Sequence, residues 1–236
     1  MPTRRAAITE IRIADPQERA QALAVFVADK IIAELKLHPT TSIALSGGRT
    51  PSRFFRELSE IELPWERVTV VLIDERWVPE NSDRSNARSI RENLLKNQAK
   101  NAQFFELFDP FSERPELAVF ALNQRFKASV PQPFCCAVLG MGLDGHTASW
   151  FPDGDHLEDA FHPNQQSIFL PMNAATAGEP RMTLSLPPLA SSRAVALLIE
   201  GRDKWQVYEA SKEIGSTLPF TQIILSAGRR LTVFGD

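Results

Sequence analysis

Runs of consecutive apolar residues alternate along this chain with segments in which apolar residues recur every three or four positions. The runs are typical of strands buried on both faces, and the wider spacing is typical of helices with one buried face. The runs predict strands at residues 41–45, 68–73, 104–107, 134–139, 194–200 and 231–234, with two more at 167–170 and 182–186. The spacing predicts helices that begin at Pro16 and at Thr50-Pro51, and further helices over 85–97, 117–126 and about 202–212.

The order of these elements predicts an α/β fold. Strands that alternate with helices are typical of a Rossmann-like, mostly parallel sheet with helices on both faces. The less regular second half predicts a few extra strands. Residues 171–188 are rich in proline, and we interpret them as a long loop near the active site, within a single domain of residues 1–236.

Composition and charge narrow the class of protein. Of 236 residues, 43% are hydrophobic and 23% are charged, with a net charge of −3, so we expect neither a nucleic-acid nor a membrane partner. No apolar run approaches the roughly 18 residues that span a bilayer. The N-terminal segment MPTRRAAITEIRIADP lacks the apolar core of a signal peptide, which favours a cytoplasmic location. A monomer and a small homo-oligomer both remain open.

The only two cysteines, Cys135 and Cys136, are adjacent in the sequence. In a strand their side chains would point to opposite faces, which disfavours a disulfide between them. They are also too few and too close together for a zinc site. We therefore interpret them as small core residues.

The segment FCCAVLGMGLDGHTASWF, residues 134–151, carries the strongest chemical signal. A buried strand ends at two glycines, and Asp144 and His146 follow at the edge where open α/β sheets bind ligands. Histidine is the side chain most easily tuned to exchange protons near neutral pH. The alternative is a glycine turn that leads into a helix with a structural histidine. The segment also fits the pattern GxGxxG, but no acidic residue ends a following strand about 20 residues on, as a dinucleotide site needs.

A second glycine loop follows the predicted strand at residues 41–45. It consists of Ser46, Gly47, Gly48 and Thr50, and we refer to these four residues as the serine–glycine loop. Backbone N–H groups at a helix start carry partial positive charge, and glycines let a phosphate approach them. The loop is too short for a nucleotide P-loop. It suits a single phosphate monoester, and the alternative is an ordinary turn between strand and helix.

Three charged residues, Asp74, Glu75 and Arg76, follow the predicted strand at residues 68–73. They belong to the same predicted sheet edge as the two glycine loops. Asp74 is a candidate to hold a sugar hydroxyl or to orient the histidine. Arg76 is a candidate to neutralise negative charge on a substrate or on an oxyanion. A solvated loop or an ion pair is the alternative.

Three blocks together resemble the 6-phosphogluconolactonase family, which shares a superfamily with the glucosamine-6-phosphate deaminases. They are the segment at 134–151, LSGGRTPSRFF at 45–55 and IDERWVPENSDRSNARSIRENLL at 73–95, in the order found in the family. The resemblance implies that the serine–glycine loop holds the phosphate of the substrate, together with Arg181 and Lys204. The Asp-Glu-Arg sequence is similar to that of the lactonases, whereas the deaminases typically have an aromatic residue at its third position.

The resemblance further implies hydrolysis of 6-phospho-D-glucono-1,5-lactone to 6-phosphogluconate, the second step of the oxidative pentose phosphate pathway. Neutral His146 would accept a proton from the attacking water, and Arg76 or backbone amides would stabilise the oxyanion. Whether Asp144 or Asp74 orients the imidazole or the water is left open by the sequence. No metal and no cofactor are expected, because His146 lacks a partner at metal-ligand spacing.

Two rival functions remain at this stage. An isomerase or deaminase on the same scaffold would use Asp74 as a carbon base, and release of ammonia from glucosamine 6-phosphate would reveal it. A non-catalytic sugar-phosphate sensor usually carries a DNA-binding module. Only about 40 residues precede the first glycine loop, and they contain no helix-turn-helix pair with a basic face.

Overall fold

The computed structural model of the protein describes residues 8–48 and 50–236. Arg4 and Arg5 of the N-terminal segment and Arg49 of the LSGGRTPSRFF block lie outside these residues. None of the described helices is long and apolar enough to cross a membrane.

Ten strands in the described part of the chain form two sheets. They are β1 (Thr9–Arg12), β2 (Thr41–Leu45), β3 (Val68–Leu72), β4 (Asp74–Arg76), β5 (Gln103–Phe105), β6 (Cys136–Leu139), β7 (Phe169–Met172), β8 (Arg181–Leu184), β9 (Val195–Leu198) and β10 (Leu231–Gly235). Seven of them form a parallel sheet in the order β1-β10-β9-β6-β2-β3-β5. The other three form an antiparallel sheet in the order β4-β8-β7. The α/β fold with a mostly parallel sheet is thereby confirmed.

Eight α-helices within residues 8–48 and 50–236 connect these strands. They are α1 (Pro16–Leu35), α2 (Ser52–Glu60), α3 (Asn86–Asn93), α4 (Pro115–Ser129), α5 (Leu157–Phe161), α6 (Leu186–Ala190), α7 (Arg202–Ser211) and α8 (Thr221–Ala227). The predicted start of α1 is confirmed, because Asp15 accepts the N–H groups of Gln17 and Glu18 at 2.8 Å. The sequence did not predict α5, α6 and α8, since five to seven residues are too few to show helical periodicity.

The proline-rich stretch 171–188 is not one long loop, so that prediction was wrong. It contains the end of β7, all of β8 and the start of α6, and only residues 173–180 and 185 lie outside these elements. Pro171 is tolerated because β7 lies at the edge of the small sheet, where a strand can lack an N–H. Pro187 and Pro188 lie in the first turn of α6, where their missing N–H groups cost nothing. The high proline content of this stretch reflects an edge strand and a first helical turn that tolerate proline, and does not indicate a loop.

The two sheets are joined through one residue between β3 and β4. The N–H of Ile73 donates to the carbonyl of Leu45 at 3.0 Å, and its own carbonyl accepts the N–H of Leu184 at 2.8 Å. The small sheet therefore continues directly from the large one at its carboxyl edge. That residues 1–236 form a single domain stays a prediction.

Cys135 and Cys136 are free and buried, in agreement with their interpretation as core residues. Burial raises the pKa of the Cys135 thiol to about 11. This thiol is therefore protonated at neutral pH and has little nucleophilic character.

The direction of the connections reverses between β2 and β6. From β2 the chain continues to β3 and β5 on one side, and from β6 it continues to β9 and β10 on the other. A crevice forms at such a point because the loops after the two strands diverge, and open α/β sheets bind ligands there. The N–H of Ser46 donates to the carbonyl of Val138 at 2.9 Å and fixes the two loops side by side.

Candidate active site

A cavity of about 400 Å³ lies at the carboxyl ends of β2 and β6. All but one of the residues predicted for the site line it: Ser46, Gly47, Gly48, Thr50, Asp74, Arg76, His146, Arg181 and Lys204. The exception, Asp144, lies behind the ring of His146 and bonds to it. Residues from five parts of the sequence thus meet at one place. Three parts follow the carboxyl ends of the parallel strands β2, β6 and β9, and the other two belong to β4 and β8 of the small sheet, which continues from that edge.

His146 is held by Asp144 and not by Asp74. The Nδ1 atom of His146 lies 2.6 Å from Oδ1 of Asp144, which also accepts the backbone N–H of His146 at 3.1 Å. Gly142 makes this pairing possible, since a Cβ at that position would lie 2.4 Å from the imidazole and 2.5 Å from the carboxylate. With Nδ1 donating to the carboxylate, the Nε2 atom is left with a free lone pair.

The imidazole also packs against an aromatic ring that the sequence did not assign to the site. The ring of Phe151 lies 4.5 Å from that of His146, centroid to centroid. The guanidinium carbon of Arg181 lies 5.4 Å from the same Phe151 ring. Phe151 therefore contacts both the histidine and one of the cations, and it limits the rotation of the imidazole.

Several polar groups of residues 140–149, which we call the histidine loop, form hydrogen bonds within the loop. The N–H of Gly142 donates to the carbonyl of His146 at 2.8 Å, and the hydroxyl of Thr147 donates to the carbonyl of Gly140 at 2.8 Å. Ala148 has a φ of 53°, a left-handed conformation that costs a non-glycine residue about 1–2 kcal/mol. No helix begins within this loop, so the alternative of a glycine turn leading directly into a helix does not describe it.

Asp74 is engaged elsewhere in the cavity wall. Its Oδ2 atom accepts the hydroxyl of Ser149 at 2.6 Å and lies 3.9 Å from Nη1 of Arg181. Its backbone carbonyl accepts the side-chain amide of Asn86 at 2.9 Å. Asp74 is buried, and its carboxylate ties the histidine loop to β4. The alternative in which Asp74 orients the imidazole therefore has no hydrogen bond to support it.

Arg76 extends along the cavity wall beside Asp74. Its Nη1 donates to the carbonyl of Arg84 at 2.6 Å. Its Nε–H is buried and has no hydrogen-bond partner among the described residues. A buried donor without a partner costs free energy, and an anionic ligand in the cavity can supply the missing acceptor.

The serine–glycine loop also has an unsatisfied polar atom. The hydroxyl oxygen of Ser46 is buried without a hydrogen-bond partner in the described part of the chain. Gly47 packs so closely on Asn86 that a Cβ would lie 2.2 Å from the amide carbon, and Gly48 has a φ of 107°, which favours glycine. The loop leads into α2, whose N-terminus carries no side-chain cap. The Ser46 hydroxyl is therefore a free donor at this end of the sheet, where Ser46 lines the cavity.

The two distant basic residues reach the cavity from different elements. Arg181 opens β8, is 5% exposed, and donates to the carbonyl of Ala177 at 2.8 Å. Lys204 lies in the first turn of α7 and forms no ion pair with a described carboxylate. Burial lowers the pKa of both side chains from their ordinary values. Desolvated cations favour an anion between them.

Glu75 was not predicted to have a role, although it lies between two predicted residues. Its Oε1 accepts the N–H groups of Arg76 and Asn86, and its Oε2 accepts the N–H of Ala87 and the hydroxyl of Ser85, at 2.7 to 3.2 Å. It is fully buried, and burial raises its pKa to about 7, with the backbone hydrogen bonds acting in the opposite direction. Glu75 therefore anchors the N-terminus of α3 and the position of Asn86. A carboxylate before a helix start is the only sequence signal that pointed to this contact.

Arg84 adds a further cation at the edge of the cavity. It lines the cavity and pairs with Glu179 of the 173–180 loop at 2.7 Å. Thr176 of the same loop also lines the cavity and donates its hydroxyl to Asp153 at 2.9 Å. Residues 173–180 thus form part of the wall, which preserves the location, though not the length, of the predicted active-site loop.

No group of three or more His, Cys, Asp or Glu residues within residues 8–48 and 50–236 is arranged to hold a metal ion.

Comparison with known proteins places the chain in a family. Residues 14–232 match the family described as glucosamine-6-phosphate isomerases/6-phosphogluconolactonase. The chain belongs to this family. The resemblance drawn from the three sequence blocks is confirmed.

Relatives within the family are similar over almost the whole chain. A 6-phosphogluconolactonase of Mesorhizobium japonicum is 41% identical over 220 residues, covering 93% of this chain and 92% of its own. One of Rhizobium meliloti is 40% identical over 222 residues, covering 93% and 95%. The crystal structure of a 6-phosphogluconolactonase from Shewanella baltica superimposes with a TM-score of 0.89 at 34% identity, covering 97% of each chain.

Proposed function

We propose that the protein hydrolyses 6-phospho-D-glucono-1,5-lactone to 6-phosphogluconate, the second step of the oxidative pentose phosphate pathway. The observation that carries this proposal is the pairing of His146 with Asp144 at the edge of a cavity rich in cations and in unpartnered donors. A base beside an anion site suits an ester whose phosphate is remote from the reacting carbonyl. The names of the Mesorhizobium and Rhizobium relatives point to the same reaction.

The serine–glycine loop and Lys204 bind the phosphate in this proposal. The hydroxyl of Ser46 lacks a partner, and the loop leads into the uncapped N-terminus of α2, where backbone dipoles favour an anion. Lys204 forms no ion pair within 4.0 Å of a described carboxylate, although the Glu200 carboxylate raises its pKa against the effect of burial. A dianionic phosphate supplies what each of these groups lacks, and Arg181 adds a second cation from the opposite element.

His146 acts as the general base. Its Nδ1–H donates to Asp144, so its Nε2 lone pair accepts a proton from water as the water oxygen forms a bond to the lactone carbonyl carbon. When the tetrahedral intermediate collapses, the bond between that carbon and the ring oxygen breaks. The imidazolium returns its proton to the ring oxygen, and the product is the open-chain acid. Asp144 stabilises the imidazolium between the two steps.

Arg76 stabilises the oxyanion of the tetrahedral intermediate. Its buried Nε–H has no partner among the described residues, so it is a donor that needs no rearrangement before the negative charge develops. A cytoplasmic location, action without metal or cofactor, and a monomeric or small homo-oligomeric state stay predictions.

A coupled assay tests the proposal. Glucose-6-phosphate dehydrogenase generates the lactone, and NADPH formed by 6-phosphogluconate dehydrogenase reports its opening, after subtraction of spontaneous hydrolysis. His146→Ala should lower turnover by about 10²–10⁴-fold, the usual effect of losing a general base. His156→Ala is the matched control, because His156 also pairs with an aspartate, at 2.9 Å, but lies outside the cavity.

No acceleration by the folded wild-type protein would refute the lactonase proposal, and unchanged turnover in His146→Ala would refute the role of His146. Release of ammonia from glucosamine 6-phosphate would instead support the deaminase rival. That rival needs Asp74 as a free carbon base, whereas the Asp74 carboxylate accepts a hydrogen bond from Ser149 and faces Arg181.

A further inference from the structure

Lys204, the lysine that lines the cavity, lies in a helical turn whose position depends on contacts with residues outside helix α7. Lys204 is in the first turn of α7, and the N-cap residue Gly201 has a φ of 90° and no side chain with which to cap the helix. The N–H groups of Lys204 and Trp205 donate to the carbonyl of Gly201 at 3.1 and 3.3 Å. The position of the Lys204 backbone therefore depends on how Gly201 and Trp205 are held.

One carboxylate binds both of these residues. Asp236, directly after β10, accepts the N–H of Gly201 at 3.0 Å to each oxygen, and the indole N–H of Trp205 at 3.1 Å. The hydrogen bond from Gly201 is the main reason that the pKa of Asp236 lies below its ordinary value. The side chain is therefore charged at neutral pH, and a negative charge at a helix N-terminus is stabilised by the helix dipole.

Trp205 is held by contacts from two neighbouring strands. The guanidinium of Arg12 on β1 lies 3.6 Å from the ring centroid. On β10, Gly235 approaches so closely that a Cβ would lie 2.5 Å from the indole. Trp205 is buried by these contacts. The indole and the Asp236 carboxylate therefore hold the first turn of α7 in position.

We propose that Asp236 is a positioning residue for Lys204, fixing the first turn of α7 so that the ammonium stays in the cavity and binds a phosphate group. Asp236 does not line the cavity, so it acts through Gly201 and Trp205. The inference rests on the proposed function, because the phosphate belongs to the proposed substrate. A purely structural role would lower stability without changing phosphate affinity selectively.

A double-mutant cycle distinguishes these two roles. We would prepare Asp236→Ala, Lys204→Ala and the double variant, and measure binding of 6-phosphogluconate by titration calorimetry together with kcat and KM for the lactone. Asp236→Ala should raise Kd and KM by about threefold to tenfold, the range expected for loss of a helix cap, with kcat nearly unchanged. In the Lys204→Ala background the same substitution should have no further effect on Kd.

Two further measurements separate positioning from general loss of stability. Asp15→Ala removes the carboxylate that caps α1 through Gln17 and Glu18, and it should lower the unfolding temperature without changing Kd. Asp236→Asn retains one acceptor for the Gly201 N–H and should give an intermediate Kd, which also covers the case in which Asp236→Ala does not fold.

The inference is overturned if both Asp236 variants bind 6-phosphogluconate as tightly as the wild type. It is equally overturned if Asp236→Ala weakens binding as much in the Lys204→Ala background as in the wild-type background. If Lys204→Ala weakens binding of 6-phosphogluconate as expected but the Asp236 variants do not, the inference fails and the proposed function remains supported. If the wild-type protein neither hydrolyses the lactone nor binds 6-phosphogluconate, the proposed function fails and the inference fails with it.

Discussion

The histidine loop and the serine–glycine loop follow adjacent strands at the same edge of the sheet, but their hydrogen bonding differs. In the histidine loop, the side chains of Asp144, His146 and Thr147 all have partners within the loop. In the serine–glycine loop, the hydroxyl of Ser46 is buried and unpartnered among the described residues. These side chains of the histidine loop therefore have their hydrogen-bond partners without a ligand, whereas the Ser46 hydroxyl needs a ligand to supply its partner.

This difference follows from what each loop must do in the proposed reaction. A general base works only if its tautomer and orientation are fixed before the substrate arrives, so its loop satisfies itself and tolerates the strain of Ala148. An anion site gains affinity from donors that have no other acceptor, so its loop leaves them free. Substitutions in the two loops should therefore affect different kinetic constants.

The largest effect is expected when the histidine loop loses its internal partner. Asp144→Asn should lower kcat by about 10²–10⁴-fold with little change in KM, because an amide can donate to Nδ1 and so select the wrong tautomer of His146. Steady-state kinetics in the coupled assay measure both constants. Asp159→Asn is the matched control, since Asp159 pairs with His156 in the same way outside the cavity. A change confined to KM would contradict the assignment of Asp144.

The next effect concerns the buried anchor beside the serine–glycine loop, Glu75. The pKa of Glu75 is raised from 4.5 to about 7, so between these values the folded protein binds more protons than the unfolded chain. The contribution of this group to stability is therefore present at low pH and falls as pH rises toward 7, by on the order of 3 kcal/mol. Glu75→Gln cannot titrate.

Denaturant unfolding at pH 5 and pH 8 checks this expectation. The difference in unfolding free energy between wild type and Glu75→Gln should be larger at pH 5 than at pH 8. Glu92→Gln is the control, because Glu92 lies on the exposed face of α3. Asn86→Asp is not suitable as a control, because it changes the contact with Gly47. A difference that grows with pH would show that the Glu75 carboxylate is stabilised, not destabilised, by the fold.

A smaller effect is expected for Lys204, the cation proposed to bind the phosphate. Lys204→Ala should raise KM by about tenfold to a hundredfold with kcat nearly unchanged, because a charged hydrogen bond to phosphate is lost. Burial lowers the pKa of Lys204, so in the wild type the affinity for 6-phosphogluconate should decline at alkaline pH earlier than for an exposed lysine. Titration calorimetry across pH should show this decline in the wild type and not in Lys204→Ala. Lys212→Ala, at a surface ion pair with Glu209, is the control.

The smallest effect, and the most discriminating one, concerns a single hydroxyl in each loop. Ser46→Ala should raise KM by about threefold to tenfold and leave the unfolding free energy unchanged or higher, because it removes a buried hydroxyl without a described partner. Ser149→Ala should instead lower the unfolding free energy by about 1–3 kcal/mol, because it leaves the buried Asp74 carboxylate without its 2.6 Å hydrogen bond. Equal destabilisation by the two substitutions would remove the distinction between the loops.

Much of the fold was predictable because it depends on local patterns. The apolar run at residues 41–45 coincides with β2, and the cap Asp15 with the start of α1. The errors arose where a residue type is compatible with more than one kind of secondary structure. Pro171 and Pro187 predicted a loop, but an edge strand and a first helical turn accept proline equally well.

The site was predictable to the extent that its residues lie in glycine loops after buried strands. Glu75, Phe151 and Asp236 were missed as contributors because their contacts depend on how the chain folds back and follow no helix or strand spacing. Asp236 bonds to Gly201, 35 residues away, and no spacing rule covers such a distance. Phe151 lies in the quoted histidine segment, but its stacking on His146 depends on the path of the loop between them.

The sequence by itself determined the order of strands and helices, the two glycine loops and the kind of chemistry that their residues support, since each of these is encoded within a few neighbouring positions. Only the tertiary structure decided that Asp144, and not Asp74, bonds to His146, and that Asp74 bonds to Ser149 instead. Either carboxylate was compatible with the spacing. The choice depends on the turn at Gly142 and on the register of β4 against β8, and both are set by packing between distant segments.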